Sequence, residues 1–229
     1  MNNYLISNIL LLFVILIPIL ASIKLRSTYS KYKKVDISNG MSGFEVARKI
    51  LDKNGLESMY IVETPGNLTD HYDPKGKVVR LSSDIFHGQT IAAAAVAAHE
   101  CGHAIQDKEK YTFMRIRSAI YPVVNLVTKV AYVLFIISLL VQYFIGLYFA
   151  LAMVAFGLLF QLVTLPVEID ASRRALKLIE EYGIVNSQEH DGTKKVLVAA
   201  AMTYVAAVLS EVLNLLRILL EISNNSRRR

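Results

Sequence analysis

Three stretches of this chain are longer and more apolar than a water-soluble core requires. Tyr4 to Ile23 is a run of about 20 residues without a charge, Ala119 to Val141 carries only Lys129, and Leu147 to Leu165 carries none. A helix of about 20 such residues crosses the hydrocarbon core of a bilayer. Hydrophobic residues make up 54% of the 229 and the mean hydropathy is +0.40. The expected fold class is therefore mostly α: integral membrane helices plus a small α+β unit with a short β-hairpin.

The net charge of +6 does not point to nucleic acid, because the basic residues gather beside apolar segments. Lys24, Arg26, Lys31, Lys33 and Lys34 follow the first run at once. The positive-inside rule then puts the N-terminus outside and the following residues on the cytoplasmic side. A cleaved signal peptide is the competing reading, weakened by the missing basic start and the length of the run. Lys129 either snorkels or faces the protein interior. The single cysteine, Cys101, excludes an intrachain disulfide.

Between the first two runs lies a region with soluble patterning. Asp36 to Gly40 reads as a polar linker. Ser42-Gly43-Phe44-Glu45 fits a capping box, and Val46, Ala47, Ile50 and Leu51 carry helical spacing to Asn54-Gly55. Met59 to Glu63 alternates as a strand. Leu68 to Pro74 reads as a polar loop, and Lys77 to Ser82 as a second strand. Val78 to Leu81 is either a sheet edge that receives a substrate strand or an ordinary core strand.

Thr90 is a candidate N-cap for an alanine-rich helix holding His99-Glu100-Cys101-Gly102-His103. In this H-E-x-x-H pattern the histidines are at i and i+4, on one helix face, where two neutral imidazoles can share one Zn²⁺. Glu100 is placed to act as the base towards a water activated by the metal. Cys101, at i+2 from His99, points to another face and is read as packing.

A catalytic zinc takes three protein ligands and keeps an open position. If the second and third apolar runs form a hairpin, with Gln142 to Gly146 as its turn, the chain returns to the face it left. The first carboxylates it then meets are Glu168 and Asp170. Thr164 could cap a new helix with Pro166 in its first turn. On that helix Glu168, Ala171, Ser172 and Ala175 share a face of small residues, so Glu168 is preferred as the ligand. Asp170 falls on a face where Arg173 or Arg174 can pair with it. Gly183, Asn186 and Gly192 break the next stretch, where His190 reads as a surface histidine. Val196 to Ile222 is apolar but interrupted by Glu211, Asn214 and Arg217. A fourth span there would put Arg227, Arg228 and Arg229 outside, so a packed or surface-lying helix is the preferred reading.

These residues resemble a known family, the YugP-like membrane zinc metallopeptidases of bacteria. The resemblance covers nearly the whole chain. It rests on Pro65 to Pro74, on Val96 to Gln106, and on Pro166 to Ala175. It implies a bacterial inner-membrane protein with a neutral zinc metallopeptidase unit. More distantly the chain is similar to the HtpX group of gluzincins, which carry an aspartate four residues after the ligand glutamate to support a zinc histidine. Here that place holds Ser172, so the support must be built differently, from Asp170 or from another residue.

The expectation is a membrane-bound, one-zinc endopeptidase acting at the cytoplasmic face on peptide or membrane-protein substrates. His99, His103 and Glu168 hold the metal and Glu100 is the base. His71 and Tyr72 are candidates for steadying the oxyanion. The expected organisation is an anchor (1–25), a zincin-like region (36–117), a membrane hairpin (119–165) and a third-ligand helix with a C-terminal apolar helix (166–229). Cleavage within the bilayer is disfavoured by His87, Gln89, Gln106 and Asp107 around the motif. A metal-stabilised membrane scaffold without peptidase activity is the alternative, and the intact Glu100 argues against it.

Overall fold

The computed structural model describes residues 3–140 and 145–226. Most of the expected turn at 142–146, and the three C-terminal arginines, lie outside them. The element order is α1 (Asn3–Tyr32), α2 (Gly43–Lys53), β1 (Tyr60–Thr64), β2 (His71–Asp73), β3 (Val78–Ser82), α3 (Ser83–Phe86), α4 (Ile91–Lys108), α5 (Thr112–Leu140), α6 (Gly146–Glu181) and α7 (Ser187–Ser226). The fold is mostly α with one small sheet. It divides into two compact units, one made of 1–22, 115–165 and 203–229, the other of 23–114 and 166–202.

In the first unit the four long helices leave large apolar side chains such as Leu20, Leu126 and Leu140 exposed. Aliphatic surface on this scale is unfavourable in water and natural in lipid. All four are long and apolar enough to cross a membrane, α7 included. Several polar residues along the apolar run of α7 have partners within this unit, while Glu211 keeps a buried carboxylate oxygen with no hydrogen-bond partner among the described residues. Ser7 Oγ donates to Glu221 Oε1 at 2.8 Å, Arg217 donates to Glu221 at 2.7 Å, and Ser210 Oγ donates to the Val14 carbonyl at 2.7 Å. Those pairings explain how α7 carries polar groups along an apolar run.

The second unit has its core around α4. Alanines on nearly every face let α2, α3, β2 and β3 pack close to it. Val46, Ile50, Leu51, Val79, Leu81 and Ile85 are fully buried there. The capping box of α2 is present, Ser42 and Glu45 each bonding the other's backbone N–H. Thr90 caps α4 by accepting from Ala93 N–H at 3.2 Å. Caps of this kind are worth about 1 kcal/mol each.

The structure departs from the sequence reading in several places and decides one alternative that the sequence left open. Leu68 to Pro74 is not all loop, since His71–Asp73 forms β2. The sheet order is β1-β3-β2, with β1 parallel and β2 antiparallel to β3. The hairpin is therefore β2–β3. Val78 to Leu81 is a central strand, paired on one side with Tyr60 to Glu63 and on the other, at Val78 to Arg80, with β2, so it is not a free edge for a substrate strand. The linker at Asp36 to Gly40 is tied down: Ile37 N–H donates to Gln89 O at 2.8 Å and Ser38 N–H to Glu189 Oε1 at 2.6 Å. Finally, Thr164 caps nothing. Helix α6 runs unbroken through Pro166, although an internal proline costs about 3 kcal/mol or more in an isolated helix. Apolar pattern on both sides of the proline and burial of Thr164 and Val167 carry the helix across it. Gly192 likewise lies inside α7; the chain breaks at 182–186, where Asn186 and Glu189 form the cap of α7.

Candidate metal centre

Helices α4 and α6 touch backbone to backbone at Gly102. A Cβ on Gly102 would sit 2.8 Å from the Ala171 carbonyl oxygen and 3.2 Å from its Cα. Only glycine permits that approach. It brings the small-residue face of α6, with Glu168 and Ser172, against the face of α4 that holds His99 and His103.

The structure places Glu168 Oε2 3.3 Å from His99 Nε2 and 3.5 Å from His103 Nε2. All three donor atoms lie within 4.8 Å of one another. In a tetrahedral zinc site with bonds of about 2.0–2.1 Å, neighbouring donors are roughly 3.4 Å apart. The two carboxylate–imidazole spacings therefore fit the ion, and the donor set, two imidazoles and a carboxylate, is one that zinc takes in catalytic sites. Glu168 is 2% exposed and His103 7%, so water competes weakly for these donors.

The outer nitrogens of both rings are engaged. Gln106 is fully buried, and its Nε2 donates to the Val167 carbonyl at 2.8 Å and to Asp170 Oδ2 at 2.9 Å. With the amide nitrogen used twice as donor, Gln106 Oε1 is the atom that faces His103 Nδ1 at 3.0 Å. His103 therefore donates from Nδ1 and presents a bare Nε2. His99 Nδ1 lies 3.2 Å from Ser172 Oγ, a hydroxyl able to accept from it or donate to it. Arg174 extends the clamp, donating to Asp170 at 2.6 Å and to Glu109 at 2.7 Å.

Glu100 is 7% exposed and close to the centre. Burial pushes its carboxyl above the usual carboxylate range, while the two histidines pull it back and Glu168 and Asp70 push it further up. Burial alone would lower the pKa of His103, but hydrogen bonding and charge from Glu168, with help from Glu100, outweigh it and raise the imidazole. Glu168 and Glu100 thus favour positive charge at the inward side of His103, where a cation would sit.

The remaining candidates make the following contacts. Cys101 is fully buried and its thiol donates to the Ala47 carbonyl at 3.6 Å; burial pushes its pKa up. Tyr72 is buried, and its hydroxyl donates to Asp107 Oδ2 at 2.6 Å, which also pairs with Lys77. His71 is exposed on the outer strand β2, its Nδ1 2.8 Å from the Thr69 carbonyl. Gln106 was not singled out as a support for the centre from sequence. Its signal is position: at i+3 from His103 it shares that residue's helix face.

Comparison with known proteins agrees with this geometry. A family model described as "Putative neutral zinc metallopeptidase" matches residues 7–223. The chain is 44% identical over 197 residues to "Putative membrane protease YugP" of Bacillus subtilis (strain 168), covering 86% of this chain and 88% of that protein. No solved structure matches. With a match over nearly its whole length and this identity to a curated relative, the chain belongs to the family described as "Putative neutral zinc metallopeptidase".

Proposed function

We propose that this protein is a membrane-bound, zinc-dependent endopeptidase that cuts peptide bonds near the cytoplasmic membrane face. The observation that carries the reading is the pair of Nε2–Oε2 separations, 3.3 and 3.5 Å, formed while both Nδ1 atoms are held from behind. His99, His103 and Glu168 would hold one zinc ion. When bound, zinc lowers the pKa of water to about 7 and polarises a peptide carbonyl.

The chain's own residues supply the rest. Glu100, next to His99 and shielded from bulk water, takes the proton from the attacking water and hands it to the leaving amine. Burial, which raises its carboxyl, suits a group that must carry a proton in mid-reaction. Gln106 and Ser172 orient the imidazoles. His71, exposed on the outer strand next to Asp70, is the candidate for steadying the oxyanion, and Tyr72 holds β2 to the end of α4 through Asp107. The cytoplasmic side is supported by the basic cluster from Lys24 to Lys34 after the first apolar run, and a membrane location by the relative described as a membrane protease.

The test is cleavage of an unfolded reporter by detergent-purified wild type, Glu100→Gln and Glu168→Ala, with zinc measured in each. Glu100→Gln keeps zinc and loses about 10²–10⁴-fold in kcat, and Glu168→Ala loses both zinc and activity. Near-wild-type cleavage by Glu100→Gln would overturn the mechanism.

A further inference from the structure

A groove of about 560 Å³ lies in the same unit as the metal centre, between α1 and α7. From α1 it is lined by Lys24, Ser27, Thr28, Lys31 and Tyr32, and from α7 by Asp191, Lys194, Lys195, Val198, Ala199 and Met202. On each helix these positions follow the i, i+3, i+4, i+7 spacing of a single face. The two helices meet at Gly192, where a Cβ would be 2.8 Å from Tyr32 Cε1. Absence of a side chain there seats the tyrosine ring, and the groove opens beside it.

Its chemistry is divided. Four lysines surround it, against one carboxylate, Asp191, which is already paired with Lys195 at 2.5 Å. Lys31 Nζ stands 5.4 Å from the Tyr32 ring centroid. The side chains of Lys24 and Lys194 make no hydrogen bond or ion pair among the described residues. The α7 side is apolar at its far end, where Val198 is 48% and Met202 50% exposed. Lys24 is the first charge after the apolar run of α1, and Val198 to Met202 lie at the start of the apolar run of α7, which opens at Val196. Cationic rim and apolar floor therefore coincide where both helices change from polar to apolar sequence.

An isolated anion would use the lysines and leave Val198 and Met202 uncovered. A neutral acyl chain would do the reverse. We propose that this groove binds an anionic phospholipid, its phosphate held by Lys24, Lys31 and Lys194 and an acyl chain laid over Val198, Ala199 and Met202.

The test is native mass spectrometry of the full-length protein in neutral detergent, titrated with dioleoylphosphatidylglycerol, dioleoylphosphatidylcholine or sn-glycerol 3-phosphate. Wild type takes up one phosphatidylglycerol saturably and binds the other two at least tenfold more weakly. A lysine beside an anionic lipid surface contributes about fivefold in affinity, so Lys31→Gln with Lys194→Gln weakens phosphatidylglycerol binding about 25-fold. Replacing the same pair with arginine retains it, and the charge-matched control Lys49→Gln with Lys75→Gln leaves it unchanged. Ala199→Phe, which fills the floor without touching charge, also weakens it. Thermal unfolding without lipid shows that each variant is folded. Equal binding of phosphatidylcholine, full binding of the chain-free phosphate, or equal effects of the two glutamine pairs would overturn the assignment.

Discussion

Ser172 Oγ stands 3.2 Å from His99 Nδ1, at the place where more distant metallopeptidases put an aspartate. A neutral hydroxyl orients the ring without adding charge behind it. Ser172→Ala is expected to weaken zinc binding about 10–100-fold, the usual effect of removing such a support. Ser172→Asp is expected to bind zinc at least as tightly as wild type, since a carboxylate makes His99 a stronger donor. Zinc competition against a chelator of known affinity checks both.

Gln106 makes three hydrogen bonds, buried ones to His103 and Val167 and a partly buried one to Asp170. Gln106→Leu leaves their partners unsatisfied in a dry interior, at about 1–3 kcal/mol for each group that cannot turn to another. The variant should unfold earlier in denaturant even after metal is stripped with chelator. A loss of stability seen only in the zinc-loaded protein would mean that Gln106 acts through the metal alone.

Gly102→Ala pushes a methyl into the backbone of α6 at Ala171, which has no flexible end to move aside. Overpacking of this kind costs roughly 1–3 kcal/mol. Because the contact sets how close Glu168 comes to the histidines, zinc content should fall with it. The matching change at Cys101, Cys101→Ala, leaves that contact alone and should keep zinc.

Tyr72→Phe and His71→Ala separate a structural role from a catalytic one. Removing the Tyr72 hydroxyl deletes one bond to Asp107, which keeps Lys77. The expected cost is about 0.5–1.5 kcal/mol of stability, with kcat within about twofold of wild type. His71→Ala should leave stability and zinc content unchanged and lower kcat by roughly 10-fold or more. Unchanged kcat in His71→Ala would remove it from the oxyanion role.

Much of this was legible in the sequence because local rules dominated. The i, i+4 histidines, the Ser42 box and the Thr90 cap depend on residues within one turn, and the charge-free runs depend on length. Preferring Glu168 over Asp170 needed only face-sharing with small residues, and the structure brings Glu168, rather than Asp170, beside both histidines. What was missed depends on contacts between distant residues. Strand β2 has three residues, too few to show alternation, and exists because β3 offers it a partner. Proline signals a break, yet at Pro166 the apolar pattern on either side outweighs it. Gln106 looked like a polar residue near a helix end until α6 supplied its acceptors.

The burial of Cys101 against the Ala47 carbonyl has a practical consequence. A thiol that is fully enclosed, and held protonated by that enclosure, does not react with polar maleimides or alkylating reagents. The chain has no other cysteine. The native sequence is thus already silent to thiol labels, and a cysteine placed in any loop reports alone. Sidedness of Ser38 or Lys110 in intact cells can be read against that background without altering the residue between the zinc-motif histidines.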